Sequence, residues 1–368
     1  MPNTSIDYQA FKENAIQGRY VTNAQVLSFL EKLPADFIRE TIGYSVEGRP
    51  IESVTWGKGK TKVLSWSQMH GNESTTTKAL FDIINLLQSQ SAILNVLRQC
   101  TLKIIFILNP DGAEVYTRVN ANSIDLNRDA QKRSQPESKT LRKTYDEFKP
   151  DFCLNLHGQR TIFNVGFTSR PATVSFLAPA HNVERNISPS RELSMKLIVA
   201  INQVLQELIP GQVGRYDDAF NENCVGDAFQ MLNTPTVLFE AGHYPGDYHR
   251  ERTREFIFYA LLTAFKTLAL GEVSNFSSKD YFAIPENNKL FFDVLIKNVQ
   301  AVDKSIEKVR DIGILFVETL CNDHIDFVPK VAEIGNLKGF HGHKTYDCMI
   351  DEELNELKKQ PYWDSVKG

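Results

Sequence analysis

The amino-acid sequence predicts an α/β fold in which a mixed, mostly parallel sheet is sandwiched by helices and a small C-terminal α+β appendage follows. Two patterns support this prediction: strand-like and helix-like segments alternate through residues 40–270, and several strand segments are almost continuously apolar. Both patterns are typical of sheets covered by helices on their two faces. The alternation stops after Gly271, so we divide the chain into residues 1–272 and an appendage, residues 273–368, of open role.

Strand and helix boundaries follow from apolar periodicity and from the turn residues between segments. Strands are predicted at 41–46, 50–56, 62–67, 102–108, 152–156, 174–178 and 236–239. Helices are predicted at 9–17, 24–33, 75–88, 137–148, 191–208 and 251–270. In the appendage we expect a helix at 290–302 and short strands at 311–317 and 325–331.

Composition and charge argue against several classes of partner. The 368 residues are 42% hydrophobic and 23% charged, with a net charge of -4 and no basic block, so we expect neither nucleic acid nor membrane as a partner. We recognise no secretory signal and no apolar run near the roughly 20 residues of a membrane helix. The five scattered cysteines favour free thiols in a reducing compartment. We therefore expect a cytoplasmic protein, and the oligomeric state stays open.

Polar clusters follow four of the predicted strands, at the point where each strand ends. They span residues 69–73, 109–129, 157–159 and 240–243. In open α/β sheets, ligands bind outside the carboxyl ends of the strands. The order of segments therefore predicts that the four clusters meet at one edge of the sheet.

Three residues of these clusters, His70, Glu73 and His157, are candidate metal ligands. Imidazole nitrogen and carboxylate oxygen bind Zn²⁺, and two His with one Glu leave a fourth position open, as in catalytic zinc sites. Simpler explanations exist for each residue. His70 and Glu73 could form a surface turn at a helix start, and His157 could be a hydrogen-bonded residue that ends a buried strand.

Five short motifs occur in order along the chain: HGNE at 70–73, NPDG at 109–112, DLNR at 125–128, NLHG at 155–158 and FEAG at 239–242. With these motifs the chain resembles the zinc carboxypeptidase superfamily of metallopeptidases, to which carboxypeptidase A belongs, over about residues 40–270. The resemblance implies one Zn²⁺ per chain, held by His70, Glu73 and His157. It also implies removal of a C-terminal residue from a peptide or peptide-like substrate with a free carboxylate.

The resemblance further implies roles for residues around the metal. Glu240 would be the general base that takes a proton from water, and Arg118 would stabilise the oxyanion. Asn127 and Arg128 would bind the terminal carboxylate of the substrate, since a guanidinium pairs with a carboxylate through two hydrogen bonds. Asp125 would accept the second ring N–H of His70.

Two features of the chain leave alternatives. Tyr216 is the candidate for a mobile pocket tyrosine that relatives carry before the general base, and Phe220 or Asn221 are alternatives for that place. After Arg128, relatives continue with Asn-Phe-Pro, whereas this chain continues with Asp-Ala-Gln at 129–131, which changes the wall beside the carboxylate site.

Structural explanations compete with two of these roles. Glu240 could be a strand-end residue paired with Arg250 or Arg254, and Arg118 could belong to a solvated polar loop.

Two other functions compete with the peptidase. An aspartoacylase-like or deglutamylase-like amidohydrolase, acting on a small or cell-wall-derived peptide, would share HGNE, DLNR and the late glutamate. A non-catalytic zinc-binding module would keep the fold without turnover. The presence of Glu240 and Arg128 beside an intact ligand set argues against such a module.

Overall fold

The computed structural model describes residues 6–302 and 310–366, and its main element is an eight-stranded sheet. Strands β1 to β9 are Phe37–Tyr44, Pro50–Trp56, Thr61–Trp66, Cys100–Ile105, Phe152–Gly158, Asn164–Val165, Val174–Leu177, Val213–Arg215 and Thr236–Ala241. The strand order in the large sheet is β1-β2-β4-β3-β5-β9-β7-β8. Four of its seven pairings are parallel, namely β4–β3, β3–β5, β5–β9 and β7–β8. The predicted mixed, mostly parallel sheet is therefore confirmed.

Helices cover both faces of this sheet. Helices α1 to α8 are Asn23–Leu30, Thr75–Leu87, Leu94–Leu97, Pro110–Glu114, Pro136–Phe148, Pro189–Leu208, Val225–Met231 and Glu251–Ala269. Helices α2, α6 and α8 pack in one hydrophobic cluster, and α5 and α7 pack in a second. Neighbouring residues of β3 divide between the clusters, Val63 to the first and Leu64 to the second, because side chains alternate along a strand.

The C-terminal segment forms a second, smaller sheet. Strands β10 to β14 are Asn287–Asn288, Phe291–Lys297, Asp311–Cys321, His324–Gly335 and His341–Asp347, and α9 is Asp351–Leu357. Four strands lie in the order β13-β12-β11-β14 over their own hydrophobic cluster, while β10 pairs with β6 of the main part. The appendage is thus α+β, and a domain boundary at residue 272 stays a prediction.

Several sequence-based boundaries differ from the structure. The predicted helix 290–302 is wrong, because its residues form β11 and a 3₁₀ turn at Val299–Ala301. Strand β11 lies between β12 and β14 and is buried on both faces, so its sequence shows no alternation that would mark a strand. The predicted helix 9–17 shrinks to a 3₁₀ turn at Tyr8–Ala10, and the predicted strand 102–108 pairs only as Cys100–Ile105.

Among the described residues, we find no helix with both the length and the apolar character that crossing a lipid bilayer requires.

A buried ion pair joins helices α2 and α8. Arg254 Nη2 lies 2.5 Å from Asp82 Oδ1, Arg254 Nε donates to Asp82 Oδ2 over 2.7 Å, and both side chains are fully buried. The same carboxylate accepts hydrogen bonds from Tyr8 Oη at 3.0 Å and Glu13 N at 2.8 Å. The pair therefore also attaches the N-terminal segment to the helical layer.

We expect Asp82→Ala to lower the free energy of unfolding by about 3–5 kcal/mol, because it removes the closest partner of the fully buried Arg254 guanidinium and leaves it a longer pair with Glu251 at 3.3 Å. Equilibrium urea unfolding measures the change. The matched control is Asp146→Ala, which removes an exposed pair with Arg142 at 2.9 Å and should cost less than about 1 kcal/mol. Equal, small losses for both variants would contradict a stabilising role for the buried pair.

Candidate metal centre

The three candidate metal ligands come from two neighbouring strands. His70 and Glu73 lie in the turn between β3 and α2, and His157 lies in β5, which pairs with β3 in parallel. Gly71 allows this turn to pack closely: a Cβ there would lie 2.0 Å from the carbonyl carbon of Gly112. The glycine is therefore required by close approach of two backbones, since its φ is not positive.

The ligand-type atoms of these residues converge. His70 Nδ1 lies 2.9 Å from Glu73 Oε1, and His157 Nδ1 lies 3.0 Å from Glu73 Oε2 and 3.1 Å from His70 Nδ1. One ligand atom from each residue falls within 4.8 Å of the other two, and both imidazoles are buried. This is the donor set and spacing of a site that can bind one divalent cation.

The hydrogen bonds of His70 fix which of its nitrogen atoms faces the cluster. His70 Nε2 lies 3.0 Å from Asp125 Oδ1, and an ionised carboxylate can only accept, so when the ring is neutral its lone pair is on Nδ1. Burial lowers the pKa of His70, but the charge of Glu73 and the hydrogen bond to Asp125 outweigh it and raise the pKa to about 9. Burial lowers the pKa of His157. Two imidazole nitrogens that face each other at this distance suit a shared cation.

Glu240 lies at the end of β9, directly beside His157 in the parallel register of β5 and β9. Its Oε2 is excluded from solvent and has no hydrogen-bond partner among the described residues. Burial, and then the charge of Glu73, raise the pKa of Glu240 well above its ordinary value. A half-buried carboxylate with one buried, unpaired oxygen, next to a second carboxylate, fits a site that receives a positive charge.

The structure removes the alternative in which Glu240 is a salt-bridged strand end. Arg250 donates to the carbonyl oxygens of Ala241 at 2.9 Å and Gln159 at 3.0 Å, and Arg254 pairs with Asp82 as described above. Neither arginine therefore pairs with Glu240 within the part of the chain that the structure describes.

Arg118 lies at the rim of the same cluster. Its Nη1 lies 3.2 Å from Glu73 Oε1, and its Nε and Nη2 lie 3.2 and 3.1 Å from Asp125 Oδ2. The side chain is 48% exposed, so one side of the guanidinium remains open to a ligand. Asp125 contacts both His70 and Arg118, and these two contacts help to hold its pKa below the ordinary range although burial opposes them.

The candidate carboxylate-binding residues lie in a 3₁₀ turn, Leu126–Arg128, beside the start of α7. Asn127 Oδ1 accepts a hydrogen bond from Val225 N at 3.2 Å. Arg128 is exposed, and its Nη1 lies 2.6 Å from Cys224 Sγ rather than against the cluster. Asp129, directly after Arg128, is buried and accepts hydrogen bonds from the backbone of residues 134 and 135. Its role here is to hold the turn.

Tyr216 follows β8 and lies near the cluster. Burial raises the pKa of its hydroxyl, and the charges of Glu240 and Glu73 raise it further, which places the ring within electrostatic reach of both carboxylates. The ring also packs against Phe163, with 5.3 Å between the centroids. Tyr216 thus lies within range of these charges, and its role in the site remains a prediction.

A second component of the site, which we did not predict from sequence, is a cavity of about 620 Å³ beside the cluster. Glu73 and Arg118 line one part of it, and Phe316, Phe327 and Lys330 of β12 and β13 line another. No motif marked these C-terminal residues, because contact across a tertiary interface leaves no periodic signal in sequence.

Comparisons with known proteins agree with this architecture. Residues 25–129 match the family model of zinc carboxypeptidases. Carboxypeptidase E of Caenorhabditis elegans is 32% identical over a region that covers 32% of this chain and 31% of that protein. The chain spans about a third of the length of the curated relatives it matches.

Two solved structures have a similar fold. A metallo-carboxypeptidase from Burkholderia cenocepacia gives a TM-score of 0.55 at 19% identity, covering 68% of this chain and 70% of that chain. A metallo-carboxypeptidase from Pseudomonas aeruginosa, in complex with (2-guanidinoethylmercapto)succinic acid, gives 0.54 at 18% identity, covering 69% and 70%. At these identities the likeness concerns the fold.

We expect His157→Ala to weaken zinc binding by more than about 100-fold. Loss of a ligand should cost more than loss of a residue that only hydrogen-bonds to a ligand, which typically weakens metal binding about 10–100-fold. Metal content after dialysis, measured by mass spectrometry, tests this. His324→Ala, which removes an exposed imidazole at the β12–β13 turn, is the control and should leave the metal content unchanged. Equal metal content in the two variants would exclude His157 from the ligand set.

Proposed function

We propose that the chain is a zinc-dependent hydrolase that removes a C-terminal residue from a peptide or peptide-like substrate. The premise is the resemblance to zinc carboxypeptidases, which the family match and the fold confirm. The observation that supports the proposal best is the convergence of His70, Glu73 and His157 beside the unpaired carboxylate of Glu240. A structural zinc site is closed by four protein ligands and has no use for such a carboxylate. The proposed stoichiometry is one ion per chain.

When bound, zinc would lower the pKa of a water molecule and polarise a substrate carbonyl. Glu240 would accept the proton of that water and deliver it to the leaving amine. Two features support this role: its strand position beside His157, and a buried Oε2 that has no hydrogen-bond partner among the described residues.

Asp125 would position two groups at once. Its Oδ1 accepts from His70, which orients a proposed metal ligand, and its Oδ2 accepts from Arg118, which would stabilise the oxyanion. The lowered pKa of Asp125 keeps its carboxylate ionised at neutral pH, so both hydrogen bonds are charge-assisted. Arg118 and the metal ligands would therefore be aligned by one side chain.

Asn127 and Arg128 would bind the terminal carboxylate of the substrate, with Tyr216 closing over the bound residue. The exposure of Arg128 supports this role, because its only hydrogen bonds within the described chain go to a thiol and a backbone carbonyl. A substrate carboxylate would be a much stronger partner for the guanidinium than either group.

We expect Glu240→Gln to keep its zinc and lose about 10²–10⁴-fold in kcat, because the amide cannot accept the proton. Hydrolysis of an N-blocked dipeptide and metal content should be measured on the same sample. Full activity in the variant would overturn the role of Glu240. Bound zinc with no activity of the wild type on C-terminal, γ-glutamyl or N-acyl substrates would favour the non-catalytic module.

We expect Arg128→Ala to lower kcat/KM for a blocked dipeptide by roughly 10- to 100-fold, the range of a hydrogen bond to a charged group. Arg128→Lys should restore little, since lysine lacks the planar pair of donors. The amide of the same dipeptide serves as the control and should be cleaved equally poorly by all three proteins. Cleavage of N-acyl amino acids but not of dipeptides would favour the amidohydrolase instead.

A further inference from the structure

The cavity beside the candidate metal centre is built from both parts of the chain. Glu73, Arg118 and Arg160 line it from the main part, and Phe316, Phe327 and Lys330 line it from the small C-terminal sheet. Strands β12 and β13 thus reach the neighbourhood of the proposed metal ligands. Any ligand that fills the cavity next to Glu73 contacts the C-terminal sheet as well.

The first anchor of this wall is an ion pair with the N-terminal segment. Glu318 of β12 pairs with Arg19 at 2.9 Å and accepts a hydrogen bond from Tyr116 Oη. Arg19 is almost fully buried, and it also donates to the carbonyl oxygen of Tyr248 at 3.3 Å. These contacts fix β12 against the loop that carries Arg118.

The second anchor is the buried carboxylate of Asp293 in β11. It accepts hydrogen bonds from Tyr248 Oη at 3.0 Å and from Phe316 N at 2.7 Å. The Tyr248 ring packs against the rings of Phe316 and Phe327, with centroids 5.2 and 5.3 Å apart. The wall is therefore a packed surface with aromatic side chains, held by specific hydrogen bonds.

The acidic and basic groups that line the cavity differ in whether they already have partners. Its acidic groups all have partners: Glu318 pairs with Arg19, Asp293 with Tyr248, and Glu73 with the candidate cluster. Among the basic groups, Arg160 and Lys330 are exposed and make no ion pair or side-chain hydrogen bond within the described residues. The free charge that the cavity presents to a ligand is therefore positive.

The position of the cavity indicates which part of a substrate would enter it. Asn127 and Arg128 do not line it and contact Val225 and Cys224 instead. If the terminal carboxylate binds there and the scissile carbonyl lies at Arg118, which does line the cavity, then the acyl portion of the substrate would extend into the cavity.

We propose that this cavity is the acyl-side subsite, and that Arg160 and Lys330, together with the aromatic wall of β12 and β13, select acyl portions that combine a negative charge with an apolar group. The inference rests on the proposed function for the direction in which the substrate lies. It gives the C-terminal segment a role in substrate recognition.

The test uses the zinc-loaded full chain and two probes of one shape, N-succinyl-phenylalanine and N-succinamoyl-phenylalanine, which differ in a carboxylate and its neutral amide. Both are N-acyl amino acids that the proposed hydrolase could itself cleave, so every protein in the calorimetry also carries Glu240→Gln to prevent turnover, and peptide cleavage is measured separately with Glu240 intact. We expect the otherwise wild-type chain to bind the succinyl probe about fivefold more tightly, the value of one partly exposed ion pair. Lys330→Glu should abolish or reverse this preference.

Lys338→Glu is the matched control, because it makes the same charge change at an exposed turn outside the cavity. Equal affinity of the otherwise wild-type chain for both probes, binding of neither probe, or the same loss of preference in both variants would overturn the subsite. If only Lys330→Glu loses the preference for the succinyl probe, and the chain cleaves no peptide, the result would support the subsite and refute the hydrolase. If the chain cleaves peptides but shows no preference for the succinyl probe, the result would support the hydrolase and refute the subsite.

Discussion

The carboxylate of Glu73 contacts four groups from three segments of the chain. Its Oε1 faces His70 Nδ1 and Arg118 Nη1, while its Oε2 faces His157 Nδ1 and accepts from Gly158 N at 2.9 Å. Burial alone would raise the pKa of Glu73, but the charge of His70 and the hydrogen bonds hold it below the ordinary range. The ionised carboxylate thus draws the two imidazoles and the Arg118 loop to one point, and the rest of the site is arranged around it.

This convergence depends on how the strand ends are held. Strands β3, β5 and β9 run in parallel, so their carboxyl ends lie side by side and carry Glu73, His157 and Glu240 to one edge of the sheet. Beyond the last pairing, the carbonyl oxygens of Gln159 and Ala241 share a buried donor, the guanidinium of Arg250, and Ala241 O also accepts from Gln159 N at 2.9 Å. Arg250 thereby fixes the ends of β5 and β9 next to each other without neutralising Glu240.

Sequence alone could predict the parts of this arrangement that local pattern determines. The apolar runs of β3, β5 and β9 and the polar residues after them indicated one edge of a sheet, and the structure places the clusters there. Two features could not be predicted. Strand β11 is buried on both faces and so lacks the alternation of a strand, and the contact of β12 with the Arg118 loop joins residues about 200 positions apart.

The candidate metal cluster and the wall of the cavity are built from different parts of the chain. The candidate metal cluster is built from the turn after β3 and from β5 and is contacted by Asp125, and β12 and β13 contribute no residue to it. Those two strands contribute instead to the cavity wall, through side chains whose anchors are Glu318 and Asp293. Substitutions in the wall can therefore change which ligands fit in the cavity and leave the geometry around Glu73 unchanged. An added sheet can in this way alter selectivity in a fold whose proposed chemistry is fixed by the strand ends.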